Sequence, residues 1–121
     1  MAKNILIVED NMIIALDIKE KIKNLGHTVP AIVSSGEQAI KITEELNPDL
    51  IIMDIGLKGN LNGIETGKII RERFNIPLIY LTGNGNLHKQ ANITDPCIDK
   101  PFNDEELKKL INKLLDNQPV N

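Results

Sequence analysis

Short apolar runs alternate with longer amphipathic stretches along the chain, the pattern of βα units that build a parallel sheet. "NILIV" (residues 4–8) is continuous in apolar character, as a central strand covered on both faces should be. "NMIIALDIKEKIKNLG" follows and puts Ile14, Ile18, Ile22 and Leu25 on one helical stripe, with Gly26 as the stop. A second strand reads from "TVPAIVS" (28–34); Pro30 cannot donate to a ladder, which favours a sheet edge. "SSGEQAIKITEEL" opens with a serine cap and turns Ala39, Ile40 and Ile42 inward as a second helix. "DLIIMD" (49–54) is the third strand and "GIETGKIIRERF" (63–74) the third helix. "IPLIYLT" (76–82) gives a fourth strand and "CID" (97–99) a brief fifth. "NDEELKKLINKLLDN" (103–117) is the last helix, capped by Asn103 or Asp104, with Leu107, Leu110, Ile111, Leu114 and Leu115 facing in. Residues 83–93 hold two glycines, three asparagines and few apolar anchors, so a fourth helix there should be shortened or absent.

Five βα units, right-handed crossovers and an edge-like Pro30 predict an α/β fold with a doubly wound five-stranded parallel sheet ordered 2-1-3-4-5, by analogy with known sheets of that order. Sites in such sheets lie outside the carboxyl ends of the strands, at the switch between strands one and three.

Composition narrows the function classes. The 121 residues make one domain, expected over 1–118 with a tail at 119–121. Lys plus Arg total 14 against 17 Asp plus Glu, and that mild acidity argues against a nucleic-acid surface. No apolar run is long enough to span a membrane, and "MAKNILIVED" lacks a signal-peptide pattern. A single cysteine, Cys97, rules out an internal disulfide and a cysteine-rich metal site; a reducing cytoplasm is the expected location.

Strand one ends in Glu9 and Asp10, strand three in Asp54, strand four in Thr82 and strand five in Lys100. The strand order would bring these into one cleft. Three carboxylates so close repel, and a hard divalent cation such as Mg²⁺ resolves the conflict. That cation would also neutralise the oxygens of an incoming phosphoryl group. Asp54 would then be the nucleophile, giving an aspartyl-phosphate. Lys100 would pair with phosphate oxygens as a point charge, and Thr82 could donate its hydroxyl to them.

"ILIVEDN", "IIMDIGLKGNLNGIE", "IYLTG" and "DKPF", in this order and spacing, resemble the receiver domain of two-component response regulators, from about Lys3 to about Leu115. The "KGNLNG" loop is similar to that of an archaeal-type subgroup. The resemblance implies a flavodoxin-like, chemotaxis-receiver-like fold and a phosphorylation switch rather than an enzyme, one that catalyses only its own phosphoryl transfer and dephosphorylation. It implies that a sensor histidine kinase, a phosphotransfer protein or a small phosphodonor phosphorylates Asp54, and that a downstream protein reads the change. By the same resemblance Asp10 ligates Mg²⁺ (or Mn²⁺) directly and Glu9 largely through water. Asp54 and the backbone carbonyl of Gly56 complete the metal set, Thr82 is the switch residue, Lys100 pairs with the phosphate, and the Lys100–Pro101 bond is cis.

Several positions depart from that pattern. Cys97 stands where the family usually has an aromatic residue, and the 17 residues between Thr82 and Lys100 form a short segment. The expectation is therefore output through another face or an order–disorder change in 83–95. Gly56 and Asn84 occupy positions that affect water access to the phosphate in relatives. Two other readings compete: a degenerate receiver acting as a phosphorylation-independent interaction module, and a small phosphohydrolase. The latter usually carries a second acid two residues after its nucleophile, where this chain has Gly56. His27 and His88 read as surface residues, Cys97 as a small hydrophobe, and Lys108, Lys109 and Lys113 as the wet face of the last helix.

Overall fold

Every side chain of three adjacent strands is buried in the computed structural model, which describes residues 2–83 and 95–116. These strands are β1 (Ile5–Val8), β3 (Leu50–Asp54) and β4 (Leu78–Thr82), flanked by β2 (Ile32–Val33) and β5 (Cys97–Asp99). All neighbours pair in parallel, in the order β2-β1-β3-β4-β5. The described helices are α1 (Met12–Asn24), α2 (Gly36–Leu46), α3 (Gly63–Phe74) and α4 (Asp104–Asp116). This is the doubly wound sheet that the run of apolar segments predicts. The expected shortened or absent helix in 83–93, Asn84, His88 and the tail 119–121 fall outside the described residues, Gly83 apart.

Period-two alternation divides the core. Ile5 and Ile7 point to one side, where Ile18 and Ile22 of α1 and Leu107 and Ile111 of α4 cover them. Leu6 and Val8 point to the other, against Ala39 of α2, Ile70 of α3 and Tyr80. Burying each large aliphatic side chain contributes roughly 1.5–3 kcal/mol, so this double-sided sheet is the rigid frame of the molecule. The apolar stripes foreseen in α1 and α4 face this core, with Ile14, Leu25, Leu110 and Leu114 at its margin. In α2 the buried positions are Gly36, Ala39 and Thr43, while Ile40 and Ile42 are only half-buried.

The edge strand is shorter than the sequence suggests. The chain approaches β1 at Thr28, whose carbonyl accepts the Ile5 N–H at 2.9 Å, and again at Val33, whose carbonyl accepts the Glu9 N–H at 2.9 Å. Pro30 has no N–H to contribute between them, so regular pairing is confined to Ile32–Val33. Ser35 caps α2 and Asn103, not Asp104, caps α4, with Asn103 Oδ1 accepting the Glu106 N–H at 2.7 Å. Gly26 follows α1 at φ +90, a conformation that stops the helix at little cost only for glycine.

Candidate functional site

Asp54 is the last residue of β3 and is 5% exposed. Its backbone is fixed from two sides: the Ile55 N–H donates to the Leu81 carbonyl at 2.9 Å, and the Gly63 N–H donates to the Ile55 carbonyl at 3.1 Å. A Cβ on Gly63 would lie 2.1 Å from the Asp54 carbonyl oxygen, so only glycine lets α3 start this close behind the strand. Asn62 and Glu65 form a capping box that sets where α3 begins. The Asp54 side chain is oriented by the Gly56 N–H, which donates to Oδ1 at 3.0 Å.

Glu9 leaves the end of β1 and is 1% exposed, whereas Asp10 beside it is exposed. Glu9 Oε2 accepts the Asn11 N–H at 3.1 Å. Asn11 in turn caps α1, its Oδ1 accepting the Ile13 N–H at 3.0 Å and the Ile14 N–H at 3.3 Å. The turn that starts α1 therefore also aims the Glu9 carboxylate. Thr82 ends β4 and is buried; its carbonyl accepts the Lys100 N–H at 2.8 Å. Lys100 extends its ammonium between two acids, 2.9 Å from Glu9 Oε1 and 3.3 Å from Asp54 Oδ1. The Lys100–Pro101 peptide is cis.

Glu9, Asp10 and Asp54 each offer a carboxylate oxygen, and the three oxygens lie within 4.8 Å of one another. Burial pushes the Glu9 carboxyl above its usual range; the Lys100 ammonium and the Asn11 N–H oppose the rise, and Asp54 adds to it. Burial pulls Lys100 down, but Glu9 and Asp54 outweigh it and hold the ammonium above the usual lysine range. Three carboxylates around one ammonium leave an excess of negative charge in a partly buried cleft. An oxygen-only donor set with uncompensated charge fits a hard divalent cation such as Mg²⁺.

The structure thus brings Glu9, Asp10, Asp54 and Lys100 together, with Thr82 at the adjoining strand end and Gly56 touching Asp54 through its amide. Two features escaped the sequence reading. One is the direct hold of Lys100 on Glu9, across 91 positions of chain, which no local pattern carries. The other is Tyr80, which pairs in register with Cys97 across β4 and β5 and is buried against α3. A Cβ on Gly67 would lie 1.8 Å from the Tyr80 hydroxyl oxygen; the glycine one turn into α3 was the available signal. Cys97 is half-buried beside that ring, and burial raises its thiol, with Asp95 and Asp99 adding to the effect. His27 is half-buried rather than purely superficial, its Nδ1 accepting the Lys3 N–H at 3.1 Å. Lys108, Lys109 and Lys113 are exposed, as read. Among the described residues, no helix is long and apolar enough to cross a membrane.

Residues 5–112 match the family model of the response regulator receiver domain. The chain is 30% identical over 118 residues to the phyllosphere-induced regulator PhyR of Methylorubrum extorquens, covering 95% of this chain and 44% of that protein. It is 35% identical to the aerobic respiration control protein ArcA of Escherichia coli, covering 86% and 44% respectively. The chain spans about half the length of the curated relatives it matches. Among solved structures, the PhyR receiver domain of Erythrobacter litoralis superposes with a TM-score of 0.88 at 25% identity, covering 99% of this chain and 96% of that one. The receiver domain of the sensor histidine kinase PA1611 from Pseudomonas aeruginosa, solved with a magnesium ion coordinated in its active site cleft, gives 0.84 at 30% identity, covering 97% and 100%.

Proposed function

The chain belongs to the response regulator receiver domain family, and we propose that it is a two-component signalling switch that accepts a phosphoryl group on Asp54. The observation that carries this reading is the Lys100 ammonium shared between Glu9 and Asp54 at the end of the central strands. That arrangement holds a nucleophilic carboxylate, a countercharge for phosphoryl oxygens and an acid cluster in one cleft. The contacts from Gly56 and Lys100 both fall on Asp54 Oδ1, so in this reading Oδ2 attacks phosphorus. An O–P bond forms as the bond from phosphorus to the donor breaks, and the donor's nitrogen or oxygen leaves with that electron pair. Lys100 then exchanges its contact with an acid for one with a phosphoryl oxygen, and the Thr82 hydroxyl donates to another. Asp10, Glu9, Asp54 and the Gly56 carbonyl are the residues that would hold Mg²⁺, which supplies charge neutralisation at the transferring group when bound; Mn²⁺ suits the same oxygen donors.

The receiver unit is taken as residues 1–118, with 119–121 as a tail, working in the cytoplasm. Its donor is a sensor histidine kinase or a phosphotransfer protein, and its output is a contact with a downstream protein rather than with nucleic acid. Its chemistry is confined to its own phosphorylation and dephosphorylation.

Incubation with acetyl phosphate and Mg²⁺, followed by intact mass, tests the reading. The expected result is a single phosphoryl adduct that disappears in Asp54→Asn. No adduct and no Mg²⁺ binding would mean a phosphorylation-independent interaction module, and rapid turnover of varied phosphate esters would mean a phosphohydrolase.

A further inference from the structure

We infer that Lys21, on α1 and outside the acid cluster, is a positioning residue for Lys100. The inference rests on Lys100 being the phosphate-pairing group, as proposed above. Three contacts converge on the Lys21 ammonium: Asp17 one turn earlier on α1, Asp104 Oδ1 at 3.2 Å, and the face of Phe102, whose ring centroid lies 5.2 Å away. Phe102 and Asp104 belong to the stretch that leaves Lys100 and enters α4. Lys21 therefore fastens that stretch to α1.

The fastening matters because of what α1 is attached to. Asn11 caps α1 and donates its N–H to Glu9, so the helix and the Glu9 carboxylate form one unit. Lys21 ties the Lys100 loop to that same unit, and the distance from Lys100 to Glu9 follows. The loop needs such a tie. On one side of Pro101 and Phe102 lies an open cavity of about 490 Å³, lined by Ile13, Ile14, Asp17, Lys100, Pro101 and Phe102. Phe102 packs at the margin of the core and the Lys100 N–H donates to the Thr82 carbonyl, while the cavity leaves the other side of the ring open. Asp17 and Asp104 are themselves mostly exposed, so each ion pair alone is weak. The Lys21 side chain is 20% exposed, and it is the convergence of both carboxylates and the ring on its ammonium that holds the loop.

Three proteins decide the matter: wild type, Lys21→Met, which keeps the apolar stem, and Lys21→Arg, which keeps the charge. The first readout is the ¹⁵N–¹H NMR signal of the Lys100 ammonium in metal-free protein. It should broaden or shift in Lys21→Met and return in Lys21→Arg; an unchanged signal in Lys21→Met overturns the inference. The second readout is the rate of labelling by acetyl phosphate at saturating Mg²⁺. It should fall about threefold to tenfold in Lys21→Met, the range of one exposed ion pair plus a cation–π contact, and recover in Lys21→Arg. Wild-type labelling with no fall in Lys21→Met also overturns it. If wild type does not label at all, the phosphoryl-acceptor reading fails, and the Lys100 signal alone decides whether Lys21 positions that side chain.

Discussion

Lys100 Nζ stands 2.9 Å from Glu9 Oε1, joining the end of the last strand to the end of the first. Glu9 is 1% exposed, so this ammonium is what makes its charge tolerable in the fold. Replacing Lys100 by Met leaves the buried carboxylate without that partner and should cost about 1–3 kcal/mol at neutral pH. The pH dependence has a definite sign. Burial raises the folded Glu9 carboxyl above its ordinary value of 4.5, so its contribution to stability is complete below that value and is lost as pH rises through the folded value. Lys100 opposes the rise, and removing it enlarges the loss. The Lys100→Met penalty should therefore be larger at pH 8 than at pH 5, measured by urea unfolding without divalent metal. An equal penalty at both pH values would show that the pair does not control Glu9.

The same logic of close approach governs α3. A methyl group on Gly67 would sit 1.8 Å from the Tyr80 hydroxyl oxygen and 2.7 Å from Cζ. Gly67→Ala should destabilise by about 1–3 kcal/mol despite its better helix propensity, because the clash outweighs the propensity gain. Adding Tyr80→Phe removes the nearest atom and should recover part of the loss in a double-mutant cycle. Additive penalties would mean the two side chains do not meet.

How much of this could be read from the chain depends on the range of the interaction. The runs "ILIV", "LIIM" and "LIYLT" announce buried strands because a strand covered on both faces has no polar side to show. Asp54 and Glu9 were legible because each directly follows such a run, with Asp10 next after Glu9, and topology alone carries strand ends to one cleft. The second strand was over-read: "TVPAIVS" has strand composition, but Pro30 removes the hydrogen bond that would join its halves. Contacts such as Lys100 with Glu9, Lys21 with Phe102, and Gly67 with Tyr80 left no periodic trace. Each depends on how two elements are set against each other, which hydrophobic patterning constrains only loosely. Tyr80 also bears on the missing aromatic residue at Cys97: the ring on β4 is paired beside that position, and a small side chain packs against it.

His27 offers a separate test at the opposite end of the sheet. Its Nδ1 accepts the Lys3 N–H, which requires an unprotonated nitrogen. Burial lowers its pKa below the ordinary 6.5, the N-terminal ammonium and Lys3 lower it further, and Asp116 and Asp49 act in the other direction. A depressed folded value means the contribution is present above 6.5 and is lost as pH falls through the folded value. His27→Gln can accept the same bond without titrating. The variant should match wild type at pH 7.5 and overtake it by a few tenths to about 1 kcal/mol at pH 5. If wild type holds its margin in acid, His27 does not carry this dependence.

Cys97 can be judged by its chemistry. A reactive thiol sits in electropositive, accessible surroundings that favour the thiolate. Cys97 has the reverse: it is half-buried against the Tyr80 cluster, burial raises its thiol, and Asp95 and Asp99 raise it further. Its Sγ lies 3.7 Å from the Asp95 carbonyl, an acceptor that favours the protonated form. Iodoacetamide at pH 7.5 should therefore modify folded protein at least about tenfold more slowly than protein in urea, since the thiolate is the attacking species. Intact mass against time gives both rates. Modification as fast in the folded state would mean the thiol is open and ionised at neutral pH, and the packing role assigned to it would have to be abandoned. Slow modification leaves Cys97 as a small apolar side chain whose size suits the space beside Tyr80.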